Sequence, residues 1–124
     1  DMHTRRGYLA TAENPQPRLD YLVSFSGVLG TVARVEVHYV PDRLILTPGS
    51  FAGYLVVLGG LDWHHLEEAA AAILGDLNNE LVARWVHVAL WRGYGTGEIR
   101  HQVIFEDRQP KWENAGLLSR INAR

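Results

Sequence analysis

The sequence predicts a single α+β domain in which a four-stranded antiparallel sheet is interrupted by two consecutive helices. Residues 32–40 alternate apolar and polar side chains, as a strand with one buried face does. Residues 47–79 carry helix-start residues and an apolar stripe at helical spacing. Two further strand-like runs then flank a glycine-rich turn. Strand pairs on either side of two adjacent helices give an antiparallel sheet with both helices on one face.

The composition limits the classes of function. At 124 residues the chain suits one domain, and a net charge of −2 gives no electrostatic reason to expect a nucleic-acid or membrane partner. Because the chain has no cysteine, it has no disulfide, thiolate metal site or thiol nucleophile. Residues 1–6 lack the apolar core of a signal peptide, and no run is long enough to span a membrane. We therefore expect a cytoplasmic protein.

The first 40 residues divide into an arm and two strands. Residues 1–19 are polar and contain Pro15 and Pro17, so we predict an extended N-terminal arm, followed by the domain proper at residues 20–124. The first strand is predicted at residues 21–25, ending at a Ser-Gly pair. The second covers residues 32–40, with Arg34, Glu36 and His38 on the face that is wet or meets a partner.

The helix pair is predicted from its capping residues. Thr47 is a candidate cap with Pro48 at the first helical position, and that apolar helix ends near a Gly-Gly pair. Asp62 is predicted to cap the second helix, which runs to about Asn79. Its acidic residues, Glu67, Glu68 and Asp76, lie off the apolar stripe.

The last two strands are predicted at residues 83–91 and 98–105, followed by a tail with a short helical end. Residues 92–97, which join them, contain an arginine and three glycines. Such a loop is able to cradle a phosphate, but it lacks the Gly-Lys-Ser/Thr of a P-loop. We interpret it as a flexible β-turn.

Three short motifs follow one another along the chain. They occupy residues 13–17 with 20–21 (Glu-Asn-Pro-Gln-Pro and Asp-Tyr), residues 35–42 (ending Tyr-Val-Pro-Asp) and residues 112–113 (Trp-Glu). In their sequence and order these motifs resemble those of the one-domain NADPH-dependent 7-cyano-7-deazaguanine reductases, the nitrile reductases of queuosine biosynthesis. The resemblance implies a tunnelling fold (T-fold), whose subunits join through sheet edges into a ring or barrel. It therefore also implies a homo-oligomer.

The chain differs from that family at the positions of the family's catalytic and cofactor-binding residues. The nucleophilic cysteine and the proton-donating aspartate of the family lie before the second strand, where residues 26–31 are shorter and contain neither. The family's Glu-Ser-Lys-Ser-Leu-Lys helix start corresponds to residues 47–52, which keep Ser50 and lose both lysines. Without a thiolate to add to the nitrile, reductase chemistry is not expected. No cofactor is expected either, since NADPH would be needed only by a genuine reductase.

The resemblance also implies a ligand site. T-fold proteins hold a purine or pterin at a subunit interface through a Glu or Gln, and the nitrile reductases use a His-Glu pair at the start of the second helix. Aligned from Trp63, the anchor is His65; aligned backwards from Asp76, it is Glu67. We prefer Glu67 because a carboxylate accepts from two adjacent N–H groups at once. The alternative is that Glu67 and Glu68 only stabilise the helix start.

The remaining site residues follow from the same resemblance. His64 or His65 is the candidate acid–base group. Thr47, Ser50 and Trp63 are further candidate ligand-binding residues. The expected function is binding of a purine-, pterin- or 7-deazaguanine-like heterocycle between subunits. The alternatives are a non-catalytic structural or accessory subunit and, third, a genuine 7-cyano-7-deazaguanine reductase.

A metal site is a different class of function that the histidines suggest. His38, His87 and His101 each lie on a different predicted strand, so they are able to converge in space. Their spacing matches no zinc-binding pattern, and we predict scattered polar-face histidines with no metal.

Overall fold

The computed structural model describes residues 2–31, 33–93 and 99–122. It contains four helices and six strands within that part of the chain. In chain order these are α1 Met2–Arg6, β1 Thr11–Glu13, β2 Val23–Leu29, β3 Ala33–Val40, β4 Leu44–Leu46, α2 Pro48–Gly59, α3 Leu66–Leu81, β5 Trp85–Gly93, β6 Arg100–Arg108 and α4 Ala115–Asn122. No helix in the described ranges is both long and apolar enough to cross a membrane.

The main sheet confirms the predicted fold class. Its four strands are antiparallel in the order β2-β3-β5-β6, with α2 and α3 between the two strand pairs. One row of side chains crosses the sheet through Phe25, Val37, Val88 and Phe105. Because alternate residues point to opposite faces, the register places this row and its apolar neighbours on one side.

Both helices cover that apolar side. α2 packs on β2, and α3 packs on β5 and β6. The largest fully buried side chains come from the sheet and from both helices and form one core cluster: Val35, Val37, Tyr39, Tyr54, Leu58, Ile73, Leu77 and Leu90. The opposite side of the sheet, which we call the outer face, carries polar side chains such as Ser24, Arg34 and Glu106 together with apolar ones such as Trp85, Trp91 and Ile104.

The helix starts differ from those predicted. Thr47 occupies the cap position of α2, but its side chain makes no capping hydrogen bond. The second helix begins at Leu66 instead of following Asp62. There Glu68 Oε1 accepts a hydrogen bond from the backbone N–H of His65 at 2.9 Å, which satisfies a donor that the first helical turn leaves open.

Asp76 was predicted to face away from the apolar stripe, and this was wrong. Its side chain is completely buried and accepts hydrogen bonds from Arg5 Nε at 2.6 Å, Arg6 Nε at 2.7 Å and Tyr54 Oη at 2.5 Å. A buried carboxylate is tolerated when cations and donors surround it. The hydrogen bond to Asp76 is the largest influence on Arg5 and raises its pKa, whereas burial is the largest influence raising the pKa of Tyr54.

The prediction of an extended arm over residues 1–19 is also corrected. Met2–Arg6 forms helix α1, which contacts α2 and α3, and Thr11–Glu13 forms strand β1, which pairs antiparallel with β4. Both elements were missed because a helix of five residues and strands of three residues leave no periodic pattern. The loop predicted at residues 92–97 lies outside the described residues from position 94 onward.

The strand boundaries also shift. β2 continues through the Ser-Gly pair at residues 26–27 to Leu29, and the last strand extends to Arg108. Glycine suits position 27 because α2 lies close to this strand: a Cβ at this position would approach Leu55 Cδ1 to 2.8 Å.

The motifs behind the family resemblance meet in one polar cluster. Asn14 is buried, donates to the carbonyl of Asp42 at 2.7 Å and accepts from Tyr21 Oη at 2.5 Å. Arg84 joins Asp20 to Asp42, with contacts of 3.0 and 3.3 Å. Trp112 also donates to Asp20. These residues therefore stabilise the fold by tying the N-terminal segment to the ends of the strands.

Candidate functional site

The predicted anchor lies in the first turn of α3. The side chain of Glu67 is 57% exposed, and its Oε2 atom is 4.0 Å from Nε2 of His101 on β6. His64 and His65 precede it in the connection from α2 and are both exposed. This arrangement leaves the Glu67 carboxylate accessible at the edge of the sheet, next to three histidines in sequence or space.

Trp63 is held by the fold beside this group. Its indole N–H donates to the carbonyl of Leu58 at 2.9 Å, which satisfies one of the open acceptors at the end of α2. The ring is half-buried and packs against the core. Its N–H is therefore already engaged within the chain.

Thr47 and Ser50 lie at the other end of α2. The Ser50 hydroxyl is 2.9 Å from the carbonyl of Thr47 and 3.2 Å from that of Ala10. From Ser50 to Leu58, whose carbonyl binds Trp63, the helix rises about 12 Å. The structure consequently separates the six predicted site residues into two groups, at opposite ends of α2, within one chain.

A polar row crosses the outer face of the sheet. The register places Ser24, His38, His87 and Glu106 directly opposite one another on the four strands. His38 is only 3% exposed, and its Nε2 lies 3.5 Å from Oε1 of Glu36. The alternation of β3 predicted the direction of His38 but not its burial, which depends on the neighbouring strands.

The second histidine of the row is enclosed by aromatic rings. His87 stacks on Trp85 at 5.4 Å and meets His38 edge-on at 5.9 Å. Burial lowers the pKa of His87, and the nearby carboxylates of Glu106 and Glu36 oppose the shift without cancelling it. Its Nδ1 atom is buried and has no hydrogen-bond partner among the described residues.

Glu106 completes the row as an ionised group. Burial acts to raise its pKa, but hydrogen bonds from the Trp85 indole and from Arg108 outweigh this and lower it. The structure therefore holds a carboxylate with a lowered pKa at one end of the row, beside a histidine whose pKa burial lowers.

The structure does not bring His38, His87 and His101 together. His38 and His87 are neighbours on the outer face. His101 pairs with Arg92, two residues along from the core pair Leu90 and Val103, and therefore lies on the helix side of the sheet. In the described ranges, no group of three or more histidine, cysteine, aspartate or glutamate side chains is placed to hold a metal ion.

A second feature, at the end of the sheet beside the β2–β3 turn, was not predicted. Arg34, Arg92 and Arg100, from three neighbouring strands, line a cavity of about 420 Å³ together with Trp91. We call it the arginine cavity. The sequence predicted Arg34 on the polar face of β3 and Arg92 in a turn. Only the pairing register brings them together.

The comparisons with known proteins add no family to this geometry. No protein-family model matches the chain, and no curated protein has significant sequence similarity to it.

Proposed function

We propose that the chain is a T-fold protein that binds a planar purine-, pterin- or 7-deazaguanine-like heterocycle between two subunits, with Glu67 as the anchor. The observation that carries this proposal is the exposed Glu67 carboxylate at the start of α3. A carboxylate with both oxygens accessible accepts from two adjacent ring N–H groups, as purines and pterins present them.

The second half of the site comes from another copy of the chain. Thr47 and Ser50 lie a helix length from Glu67, so one chain does not enclose a ligand with all of them. Strands β2 and β6 are the two edges of the main sheet within the described residues. Open edges are usually covered or paired, and pairing them between subunits brings the start of one α3 to a neighbouring chain.

The proposal excludes the nitrile-reductase reaction. That reaction needs a thiolate to add to the nitrile carbon, and the sequence contains no cysteine. His64 and His65 remain as exposed acid–base groups on the approach to Glu67. The bound heterocycle is consequently held or altered by a different chemistry, in which these imidazoles exchange protons with it.

Calorimetry with guanine, pterin and 7-deazaguanine compounds tests this site. We expect one of them to bind the wild-type chain and Glu67→Ala to weaken that binding by about tenfold or more, since it removes two charge-assisted hydrogen bonds. Glu67→Gln should retain part of the affinity because the amide keeps one acceptor. Glu80→Ala, which removes a carboxylate from the other end of α3, serves as the matched control.

The second candidate is a structural or accessory subunit without a ligand. The observation that favours it is the engagement of Trp63 and Glu68 in hydrogen bonds of the fold. An assembled oligomer that gives no heat with any of the compounds would support this candidate and contradict the first. The third candidate, a genuine reductase, predicts NADPH oxidation with 7-cyano-7-deazaguanine, for which we expect no activity.

A further inference from the structure

The arginine cavity lies at the end of the sheet near the β2–β3 turn, with Arg34 and Arg100 on the outer face and Arg92 on the helix side of β5. Arg34 on β3 stands directly opposite Trp91 on β5, and Arg100 on β6 stands opposite Gly93. Val28, Ala33 and the Trp91 ring provide apolar wall. The volume of about 420 Å³ falls within the range of small-molecule sites in proteins.

The charged residues that line this cavity are all basic among the described residues. Three of its described lining residues are arginines, and no described lining residue is acidic. Glu36, two residues from Arg34 on the same strand, lines the adjoining cavity of about 390 Å³ and lies beside His38. The positive charge therefore concentrates locally on a chain whose net charge is −2.

Two of these arginines are not used by the fold. Arg5, Arg84 and Arg108 each form a salt bridge with a carboxylate. Within the part of the chain that the structure describes, Arg34 and Arg100 form none. Arg100 instead lies over the Trp91 ring, with its Cζ atom 5.5 Å from the ring centroid. This contact restrains the guanidinium and leaves its N–H groups available.

We propose that the arginine cavity binds a small organic phosphate, whose phosphate is held by Arg34 and Arg100 and whose carbon skeleton lies against Trp91 and Val28. Guanidinium groups suit this role because their planar forks match the oxygens of a phosphate. This site is separate from the proposed heterocycle site at Glu67, which lies in the helix layer.

Titration calorimetry with inorganic pyrophosphate, ribose 5-phosphate and ribose tests the proposal. None of these probes carries a purine or pterin ring, so failure here is distinguishable from failure of the Glu67 site. We expect both phosphates to bind, with affinity that falls as salt concentration rises, and ribose to give no heat. Absence of binding by both phosphates at millimolar concentration would overturn the proposal.

Matched variants locate the site. Arg34→Gln and Arg100→Gln should each weaken binding of both phosphates by about tenfold or more, because each removes charge-assisted hydrogen bonds. Arg18→Gln makes the same change of net charge at an exposed loop position and should leave affinity unchanged. Thermal unfolding checks that the variants fold. Equal loss in Arg18→Gln, or unchanged affinity in both cavity variants, would refute the assignment.

Discussion

At the scale of single residues, burial and partner choice decide what each polar group does. Asp76 and Glu67 lie on the same helix and are both carboxylates, yet Asp76 is fully buried among Arg5, Arg6 and Tyr54 whereas Glu67 is largely exposed. Losing its cationic partners would leave Asp76 as an uncompensated buried charge, a change that costs about 3–5 kcal/mol in other proteins. Asp76 is therefore structural, and Glu67 is available for a ligand.

His87 provides a prediction about pH. Because burial lowers its pKa below the ordinary value of 6.5, the unfolded chain binds more protons than the folded chain as the pH falls through this value. The free energy of unfolding should therefore decrease with acidity below pH 6.5. His87→Gln should flatten this dependence, by at most about 1.4 kcal/mol per pH unit.

Denaturant unfolding of the wild type and of His87→Gln at a series of pH values measures the effect. Ser24→Ala, in the same row across the sheet, changes the packing without removing a titratable group and should keep the wild-type slope. An unchanged slope in His87→Gln would show that Glu106 and Glu36 cancel the effect of burial.

At the scale of elements, the end of α2 is fixed by its approach to the β2–β3 turn. Gly30 has a φ of +59°, a conformation that glycine adopts without steric cost. A Cβ added at Gly59 would approach the Gly30 nitrogen to 2.6 Å. Two backbones therefore meet at this point, and side-chain rearrangement alone does not make room for a methyl group.

Gly59→Ala should accordingly destabilise the chain, by about 1–3 kcal/mol as overpacking does. Gly53→Ala is the matched control on the same helix, because its added Cβ meets no atom of the described structure within 4 Å. That change should stabilise by about 0.5–1 kcal/mol, the usual gain of replacing glycine in a helix interior. Denaturant unfolding of both variants measures the difference, and equal effects would contradict the close approach.

At the scale of the whole molecule, the sheet ends in two edges that expose apolar side chains. Val28 on β2 and Ile104 on β6 are each 55% exposed. The proposed T-fold assembly covers such edges by joining subunits. We therefore expect light scattering to give a mass that is a multiple of 13.9 kDa, and a monomer would contradict the proposed assembly.

Ile104→Lys should lower the observed mass, since a charge on an edge strand disfavours pairing with another edge. Val82→Lys replaces a side chain that is 63% exposed at the end of α3 and belongs to neither edge strand, and should leave the mass unchanged.

The main strands and helices were predictable because each carries its own periodic pattern. Val35, Val37 and Tyr39 alternate along β3 and all enter the core, and the stripe of α3 includes the buried Ile73 and Leu77. Helix α1 and the β1–β4 pair were not predictable, since they are too short for a pattern and depend on contacts made after folding.

Of the candidate sites, one was predictable from the sequence and the others were not. The placement of Glu67 at a helix start follows from local sequence, and its exposure was expected there. The arginine cavity and the row from Ser24 to Glu106 depend on the register between strands distant in sequence. Periodicity assigns a residue to a face of its own strand, but it does not specify which residue of another strand stands opposite.

The sequence by itself therefore determined the α+β class, the antiparallel sheet with its two helices, and the absence of a thiol nucleophile. The tertiary structure decided that Asp76 is buried, that Thr47 and Ser50 lie apart from Glu67, and that three arginines share one cavity. The physical reason is that local patterns set the direction of each side chain, whereas burial and partners arise only when separate segments pack together.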